Sequence, residues 1–466
     1  MSKPGSPSNP FRVAVLGAGP AGFYTVGALL RQSDLTVEID MFDSLPSPFG
    51  LVRTGVAPDH QKDKSVIRVY EKSARSPHCR FYGCVEYGRQ IHLSDLKEHY
   101  HQVVFATGSQ TDRSMGIPGE DLAGSHSATD FVAWYNGHPD FADHHFDFTQ
   151  TRAAVIGLGD VALDVARILC RTNAELKRTD MADYAIEALS QSHIREVTIL
   201  GRRGPAQAAF STPEIKELDE LADADVVVRQ DEVHLDPFSQ AELEQSQDRE
   251  RRNNVAALQY FASRAPAGKD RRLAIRFLVS PTRVIGSGSG QVKAVELVKN
   301  EAFQSDDGSV RARPTEQFET LPIGLIFRSV GYRGVPPEGI PFNDDWATIE
   351  HERGRIVAAD TRQPLPGLYT AGWIKRGPVG VIGTNKKDAQ ETVACMVQDL
   401  QAGRVLAPAK PQVEAATKLI KERQPQFISY DDWTVIDAEE VARGQESGRP
   451  RVKFTSIAQM LAVLGR

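Results

Sequence analysis

Residues 13–22 read V-A-V-L-G-A-G-P-A-G. An apolar run ending in Gly17, Gly19 and Gly22 predicts a buried parallel strand turning sharply into a helix, with glycines where a side chain would block a pyrophosphate. The pattern alone also fits a strand-to-helix turn that binds nothing, so its surroundings decide. Roughly twenty residues on, V-E-I-D-M-F-D at 37–43 reads as the next strand of a βαβ unit and ends in Asp43, a carboxylate suited to ribose hydroxyls. The stretch up to Asp43 is therefore predicted to be a dinucleotide site.

The pattern then restarts. Residues 153–167 read A-A-V-I-G-L-G-D-V-A-L-D-V-A-R: an apolar strand, Gly157 and Gly159 in a tight turn, Ala162 in the third position and a periodic helix. Two such turns predict two dinucleotide sites in one chain. The following strand, I-R-E-V-T-I-L-G-R-R-G at 194–204, ends in Arg202 and Arg203 where the first ends in Asp43. An arginine fork suits a phosphate and a carboxylate repels one, so the second site should prefer NADP, with its 2′-phosphate, over NAD.

Composition bounds the rest. A chain of 466 residues suggests two or three domains at about 150 residues each. A net charge of −6 without a basic block argues against nucleic acid as the main partner. No apolar run reaches the roughly eighteen residues that a membrane helix needs. The N-terminus, M-S-K-P-G-S-P-S-N-P, has neither a secretory core nor an Arg-rich transit pattern, which makes the cytoplasm the expected location. Cys79, Cys84, Cys170 and Cys395 are scattered with no C-x-x-C, so neither a dithiol pair nor an iron–sulfur or zinc cradle is predicted. His138, His144 and His145 lack carboxylates at ligand spacing, and no metal is expected there.

Between the two turns, residues 44–60 (S-L-P-S-P-F-G-L-V-R-T-G-V-A-P-D-H) hold too many prolines and glycines for a helix or central strand. They predict an ordered loop whose Phe49, Leu51, Val52 and Val56 pack against something flat and apolar. His60 closes it; an isolated histidine is commonly a structural hydrogen-bonder. A helix over 64–74, a strand over 81–88 that could carry Val85 toward an adenine, and a strand over 100–108 ending in Ala-Thr-Gly follow. After the second turn, Ser211 or Thr212 is a candidate N-cap, with Glu214 in the first helical turn where it suits the dipole. Residues 236–269 are polar and charge-mixed and suggest no element; strands are expected around 276–279 and 292–299. Residues 321–332 repeat the strand-to-small-residue ending, which closes a domain near Tyr332. In 366–388 a strand ends at Gly372, a Gly-rich turn carries Trp373, and a helix begins near Thr384 or Asn385, its N-terminal dipole suited to the negative charge of a reduced flavin. A-P-A-K-P, beyond Gly403, reads as a linker to an appended tail.

Taken together, these residues resemble the adrenodoxin reductase family and its actinobacterial-type NADPH:ferredoxin reductases over nearly the whole chain. The carriers are F-G-L-V-R-x-G-V-A-P-D-H at 49–60, F-V-x-W-Y-N at 131–136, V-A-L-D-V-A-R-I-L at 161–169, G-R-R-G-P at 201–205 and G-W-I-K-R-G-P at 372–378. The resemblance implies an α/β protein of two Rossmann-like, three-layer, glutathione-reductase-like dinucleotide domains, the second inserted in the first. The expected boundaries are 1–108 and 332–403 for the FAD domain, 109–331 for the NADP domain and 404–466 for the appendage. It implies FAD at the first turn, with Gly17, Gly19, Ala21, Gly22, Asp43, Leu51, Val85, Trp373, Gly380, Val381 and Ile382. NADP falls at the second, with Gly157, Leu158, Gly159, Asp160, Val161, Arg202, Arg203 and Glu214, and Gly380 touches both cofactors. His60 and Glu214 fall on family positions beside the reacting rings, as aids to positioning and proton balance.

Three residues depart from the pattern: Asp43 where Glu is common, Asp160 where Asn is usual, and Val379 for a Thr. The implied activity is hydride transfer from NADPH to flavin N5 and single-electron transfer to a ferredoxin. Because ferredoxins are typically acidic, Arg251, Arg252, Lys269, Arg271 and Arg272 are candidates for a basic docking face. A quinone-reducing diaphorase and a catalytically silent flavoprotein are the rival expectations.

Overall fold

Five apolar residues and Arg12, which is paired with Asp40, form strand β1 (Phe11–Leu16), and all six are buried, as in an interior parallel strand. The structure is a computed structural model that describes residues 3–466. Helix α1 (Pro20–Leu30) leaves the turn after β1 with proline in its first turn, where the missing N–H is no loss. Strand β2 (Val37–Phe42) returns parallel to β1 in the register Val13↔Ile39.

These elements belong to a seven-stranded sheet in the spatial order His351–Glu352, Arg355–Val357, Pro364–Thr370, Gln102–Phe105, β1, β2, Cys79–Tyr82. Pro364–Thr370 pairs parallel with Gln102–Phe105, so the sheet is completed by chain that lies beyond the second glycine turn. A second sheet of six strands, all parallel, has the order Ser125–Ser127, Leu325–Arg328, β3 (Arg152–Ile156), β4 (Glu196–Leu200), Arg271–Arg276, Ala224–Val228. Helix α2 (Asp160–Cys170) follows β3 and buries nine of its residues.

The chain divides into two compact units. One holds residues up to Val56, His60–Thr111 and Gly331–Arg466; the other holds Ala57–Asp59 and Asp112–Val330. Each has its own core. The first is built around Phe11, Val13, Val15, Phe23 and Met396, the second around Phe131, Leu163, Ile199, Leu258 and Phe327.

Several elements differ from the sequence expectation. Residues 236–269 contain two helices, Pro237–Gln245 and Arg249–Ser263. Asp236 and Asp248 cap them by accepting from Phe238, Ser239 and Glu250 N–H groups, and the second buries Val255, Leu258 and Phe261 under an otherwise charged surface. The strand expected over 276–279 falls instead on the break between Arg271–Arg276 and Val279–Gly286, where Leu278 sits at φ +54°, and the strand expected over 292–299 is longer. Val279–Gly286, Val292–Gln304 and Val310–Pro322 make a three-stranded antiparallel sheet. The strand expected over 81–88 ends at Tyr82, because Cys84 sits at φ +62°. The helix expected over 64–74 begins at Ile67. The tail expected as an appendage is part of the first unit: Trp433, Ile436, Phe454 and Met460 belong to the same core as β1. Among the described residues, no helix is long and apolar enough to cross a membrane.

Candidate functional site: two glycine turns

Within the first unit, the three glycines of the opening turn are required for different reasons. Gly17 has φ +105°, and a Cβ there would lie 2.4 Å from the Ala106 carbonyl oxygen. A Cβ on Gly22 would lie 2.0 Å from the Gly17 oxygen, so the first turn of α1 rests directly on the loop. Gly19 is the N-cap of α1, and a Cβ there would meet nothing nearer than the Gly50 Cα at 3.9 Å. The fold itself leaves room for a side chain at 19, and a glycine there fits a ligand lying across the helix N-terminus.

Asp43 follows β2 and is turned back onto that loop. Its Oδ2 accepts from Ala18 N–H at 2.8 Å and its Oδ1 from Leu45 N–H at 3.0 Å. Burial pushes its carboxyl up to about 6, against the pull of those two backbone donors. Each oxygen keeps a lone pair for a ligand hydroxyl. Val85 is buried and donates its N–H to the Asp43 carbonyl at 2.9 Å, which sets the second loop beside the carboxylate.

The loop at 49–55 closes over the turn. Phe49, at φ +86°, donates its N–H to the Ala18 carbonyl at 2.8 Å, and a Cβ on Gly50 would lie 2.9 Å from the Gly19 Cα. A phenylalanine held at positive φ is a strained backbone of the kind that collects at binding sites. Leu51 begins the helical turn Leu51–Thr54. From the far end of the chain, Gly372 approaches so closely that a Cβ there would lie 2.4 Å from that of Ala21. Next to it the Trp373 Nε1 is buried with no hydrogen-bond partner among the described residues. Gly380, at φ +83°, Val381 and Ile382 lead into helix α3 (Thr384–Gln401), and Val379 and Val381 stand 69% and 64% exposed. An open cap glycine, an unpartnered indole N–H and bare valines on one rim fit a flavin dinucleotide.

In the second unit the same turn is built at 157–162. Gly157 has φ +145°, and a Cβ would lie 2.2 Å from the Ser329 oxygen. Gly159, the N-cap of α2, has nothing within 4 Å of such a Cβ. Leu158 fills the space that glycine leaves at 201, where a Cβ would lie 2.3 Å from its side chain. Val161 packs at the edge of the core behind the turn. Arg202 and Arg203 follow β4, both exposed, with their carbonyls held by Asn300 Nδ2 and Leu278 N–H. Neither guanidinium makes an ion pair among the described residues. Burial, with Arg202 and Arg251 close by, pulls Arg203 below its ordinary value. Glu242 offsets part of this charge and also pairs with Arg251, leaving an excess of positive charge that fits a phosphate.

The profile of the pyridine nucleotide-disulphide oxidoreductase family matches residues 11–233. NADPH-ferredoxin reductase FprA of Mycobacterium tuberculosis (strain H37Rv) is 44% identical over 462 residues, 97% of this chain and 99% of that one. The chain belongs to the NADPH-ferredoxin reductase family. A further member, the mitochondrial NADPH:adrenodoxin oxidoreductase of Arabidopsis thaliana, is 38% identical across 98% of this chain and 95% of its own. The solved structure of M. tuberculosis FprA in complex with NADPH superposes with a TM-score of 0.92 at 43% identity, covering 98% of this chain and 99% of that one.

Two of this reductase's candidate residues are more tied down than sequence suggests. The Asp160 Oδ1 accepts from Ser211 N–H at 2.6 Å, so this carboxylate pins the loop at 206–211 to the start of α2. Glu214 lies in the first turn of Thr212–Glu217 and receives the Arg167 Nη1 at 2.9 Å. Arg167 is fully buried and also binds Asp59 and Asp164, at 2.9 and 2.6 Å; Arg171 joins Asp59 to Glu175 and Glu217. This network escapes a linear search because Asp59 lies 108 residues from Arg167; its only trace is a charged residue on the apolar face of α2. His60, in the first unit, precedes the turn Gln61–Lys64 with its Nδ1 4.0 Å from the Asp63 carboxylate.

The basic candidates are mostly engaged. The Lys269 Nζ donates to the Leu221 carbonyl, Arg271 pairs with Asp223, Arg251 with Glu242, and Arg252 donates to the Ser246 carbonyl. Of the five, Arg272 alone has no side-chain partner among the described residues. Lys269 and Arg252 keep their charge against carbonyl oxygens, and only Arg271 and Arg251 are ion-paired, so the expected basic face is partly neutralised.

Proposed function

We propose that this chain oxidises NADPH at its second glycine turn and delivers the electrons, through FAD held at the first, to a ferredoxin-type iron–sulfur protein. The observation that carries this is the opposite charge at the ends of two equivalent strands: a carboxylate at Asp43 and two unpaired guanidinium groups at Arg202 and Arg203. When bound, FAD supplies the conversion of a hydride into single electrons. The protein's own residues bind and orient. Asp43 accepts from ribose hydroxyls, Gly19 and Gly159 let pyrophosphates reach helix N-termini, and Arg202 and Arg203 take the 2′-phosphate. Glu214, set by Arg167, and His60 are assigned to positioning and proton balance. The kinship with FprA and with the adrenodoxin oxidoreductase supports the ferredoxin acceptor.

A dithiol reductase of the same fold is opposed by the cysteines. All four are free and buried, and burial pushes Cys79, Cys84 and Cys170 up to about 12, far from a reactive thiolate. Free thiols also suit the reducing cytoplasm, which belongs to the same proposal.

The test is an anaerobic titration of the yellow protein. NADPH should bleach the flavin band and NADH should do so only weakly; addition of oxidised ferredoxin should restore it. Failure of NADPH to bleach would sink the reductase function. An equal response to NADH would sink the assignment of the arginine pair.

A further inference from the structure

The C-terminal segment contains a buried carboxylate that neither glycine turn explains. Glu440, in helix α4 (Tyr430–Glu446), is 0% exposed. It receives Arg53 through two parallel hydrogen bonds of 2.8 and 2.6 Å, the strong bidentate form. Arg53 is the arginine of the F-G-L-V-R-x-G run, two residues beyond Leu51. It points away from the glycine turn and into the tail. The Trp433 ring lies under it at 4.9 Å, and the same indole meets the Phe49 ring edge-on at 6.2 Å. Lys453, also buried, donates its Nζ to the Arg53 carbonyl at 3.1 Å. The remaining demand of Glu440 is met by Phe454 N–H at 2.9 Å and Arg451 Nη1 at 3.1 Å.

The grip extends to the second flavin-side loop. Gly83 and Ile428 exchange backbone hydrogen bonds of 2.8 and 3.1 Å, and Gln424 Nε2 donates to the Cys84 carbonyl at 2.9 Å, immediately before Val85. One segment thus holds both loops that carry predicted flavin contacts, Leu51 on one and Val85 on the other. The strained φ of Phe49 needs such outside support, because a free loop would relax it.

We propose that residues 424–454 are a clamp that holds the 49–55 and 83–85 loops in their flavin-binding conformation, with Glu440 as its positioning residue. This rests on FAD binding at the first turn. Glu440 touches no ligand; it acts through Arg53. Removing its charge leaves a buried guanidinium half-paired, and the loop shifts to relieve it.

The test uses the full-length holoprotein. Glu440→Gln should raise the FAD dissociation constant about tenfold or more and shift the visible absorption of the flavin that remains bound. Leu400→Ala, which opens a cavity in the same core but outside the clamp, should lower Tm yet leave the FAD constant within about twofold. If Glu440→Gln does not fold, Lys453→Met removes the bond to the Arg53 carbonyl and should raise the constant about threefold. Wild-type FAD affinity in the folded Glu440→Gln protein, or in Lys453→Met where it stands in, overturns the clamp. So does an equal rise in Leu400→Ala, which would reduce the effect to general loosening. A wild-type chain that binds no FAD overturns the cofactor assignment and the clamp with it; a flavin-tight wild type with an unaffected Glu440→Gln overturns the clamp alone.

Discussion

The turns at 17–22 and 157–162 share a backbone and differ in their surroundings. In both, the first glycine is fixed by the protein itself: a Cβ would strike a carbonyl oxygen at 2.4 Å in one and 2.2 Å in the other. In both, the middle glycine faces open space. The third position separates them, since Gly22 lies against the Gly17 carbonyl whereas Ala162 is buried with its methyl accommodated. The ends of the next strands separate them further, one closing on a carboxylate tied to its own loop and the other on two exposed guanidinium groups. On the proposed function, the shared part holds a dinucleotide and the unshared part selects which one.

The sharpest way to break this comparison is to exchange the roles of the glycines. Gly17→Ala and Gly157→Ala should each cost more than about 4 kcal/mol, through strain at positive φ and a methyl inside a carbonyl contact, and be lost to aggregation or a collapsed Tm. Gly159→Ala has room and should cost about 1 kcal/mol at the N-cap, while raising the Michaelis constant for NADPH severalfold. A wild-type Tm for Gly157→Ala would end the claim that the first glycine is structural.

Next in size is the charge contrast. Removing one charge-assisted hydrogen bond to a phosphate costs about 1.5–3 kcal/mol. Arg202→Ala or Arg203→Ala should therefore lower kcat/KM for NADPH about ten- to a hundredfold and leave NADH untouched. A parallel loss with both nucleotides would move the pair from 2′-phosphate recognition to general binding.

Asp43 gives a smaller, pH-dependent effect with a defined sign. Its carboxyl titrates near 3.8 when unfolded and at about 6 in the folded chain without flavin. The proton is thus held more tightly in the native state. The stability this gives the flavin-free protein is complete below about 4 and is lost as pH rises through about 6. Ribose hydroxyls donate to the carboxylate form, so FAD affinity should move the opposite way, weakening as pH falls through about 6. Asp43→Asn should flatten that dependence in a fluorescence titration of FAD release.

What the sequence reveals and what it hides follow from distance along the chain. Gly17, Gly157 and the charges after each second strand are legible because a βαβ unit packs its ligand machinery into consecutive residues. The Asp59–Arg167–Glu214 network and the Arg53–Glu440 pair are not, the latter spanning 387 residues. A proline-containing stretch before the tail reads as a linker, yet Trp433 and Phe454 beyond it complete the first core. Periodicity sees which face of a helix is apolar; it does not see what will cover it. The helix Arg249–Ser263 was hidden for the converse reason, its buried stripe being narrow beneath charged neighbours.

Asp160 is the carboxylate at the head of the second turn, and it carries the smallest predicted effect. A carboxylate beside an incoming nucleotide phosphate would repel it, and by that argument Asp160→Asn should tighten NADPH binding. The structure offers a counterweight: the Oδ1 is already taken by Ser211 N–H at 2.6 Å, a bond to the charged form that holds the 206–211 loop. Asparagine keeps an acceptor oxygen for that N–H but loses the charge assistance, worth about 1 kcal/mol. The two effects oppose each other, so the substitution should change kcat/KM for NADPH by less than about threefold while lowering Tm by a few degrees. A tenfold gain in NADPH affinity would show that the carboxylate faces the phosphates after all. The difference between the two turns would then include a repulsive group in the second that the first does not have.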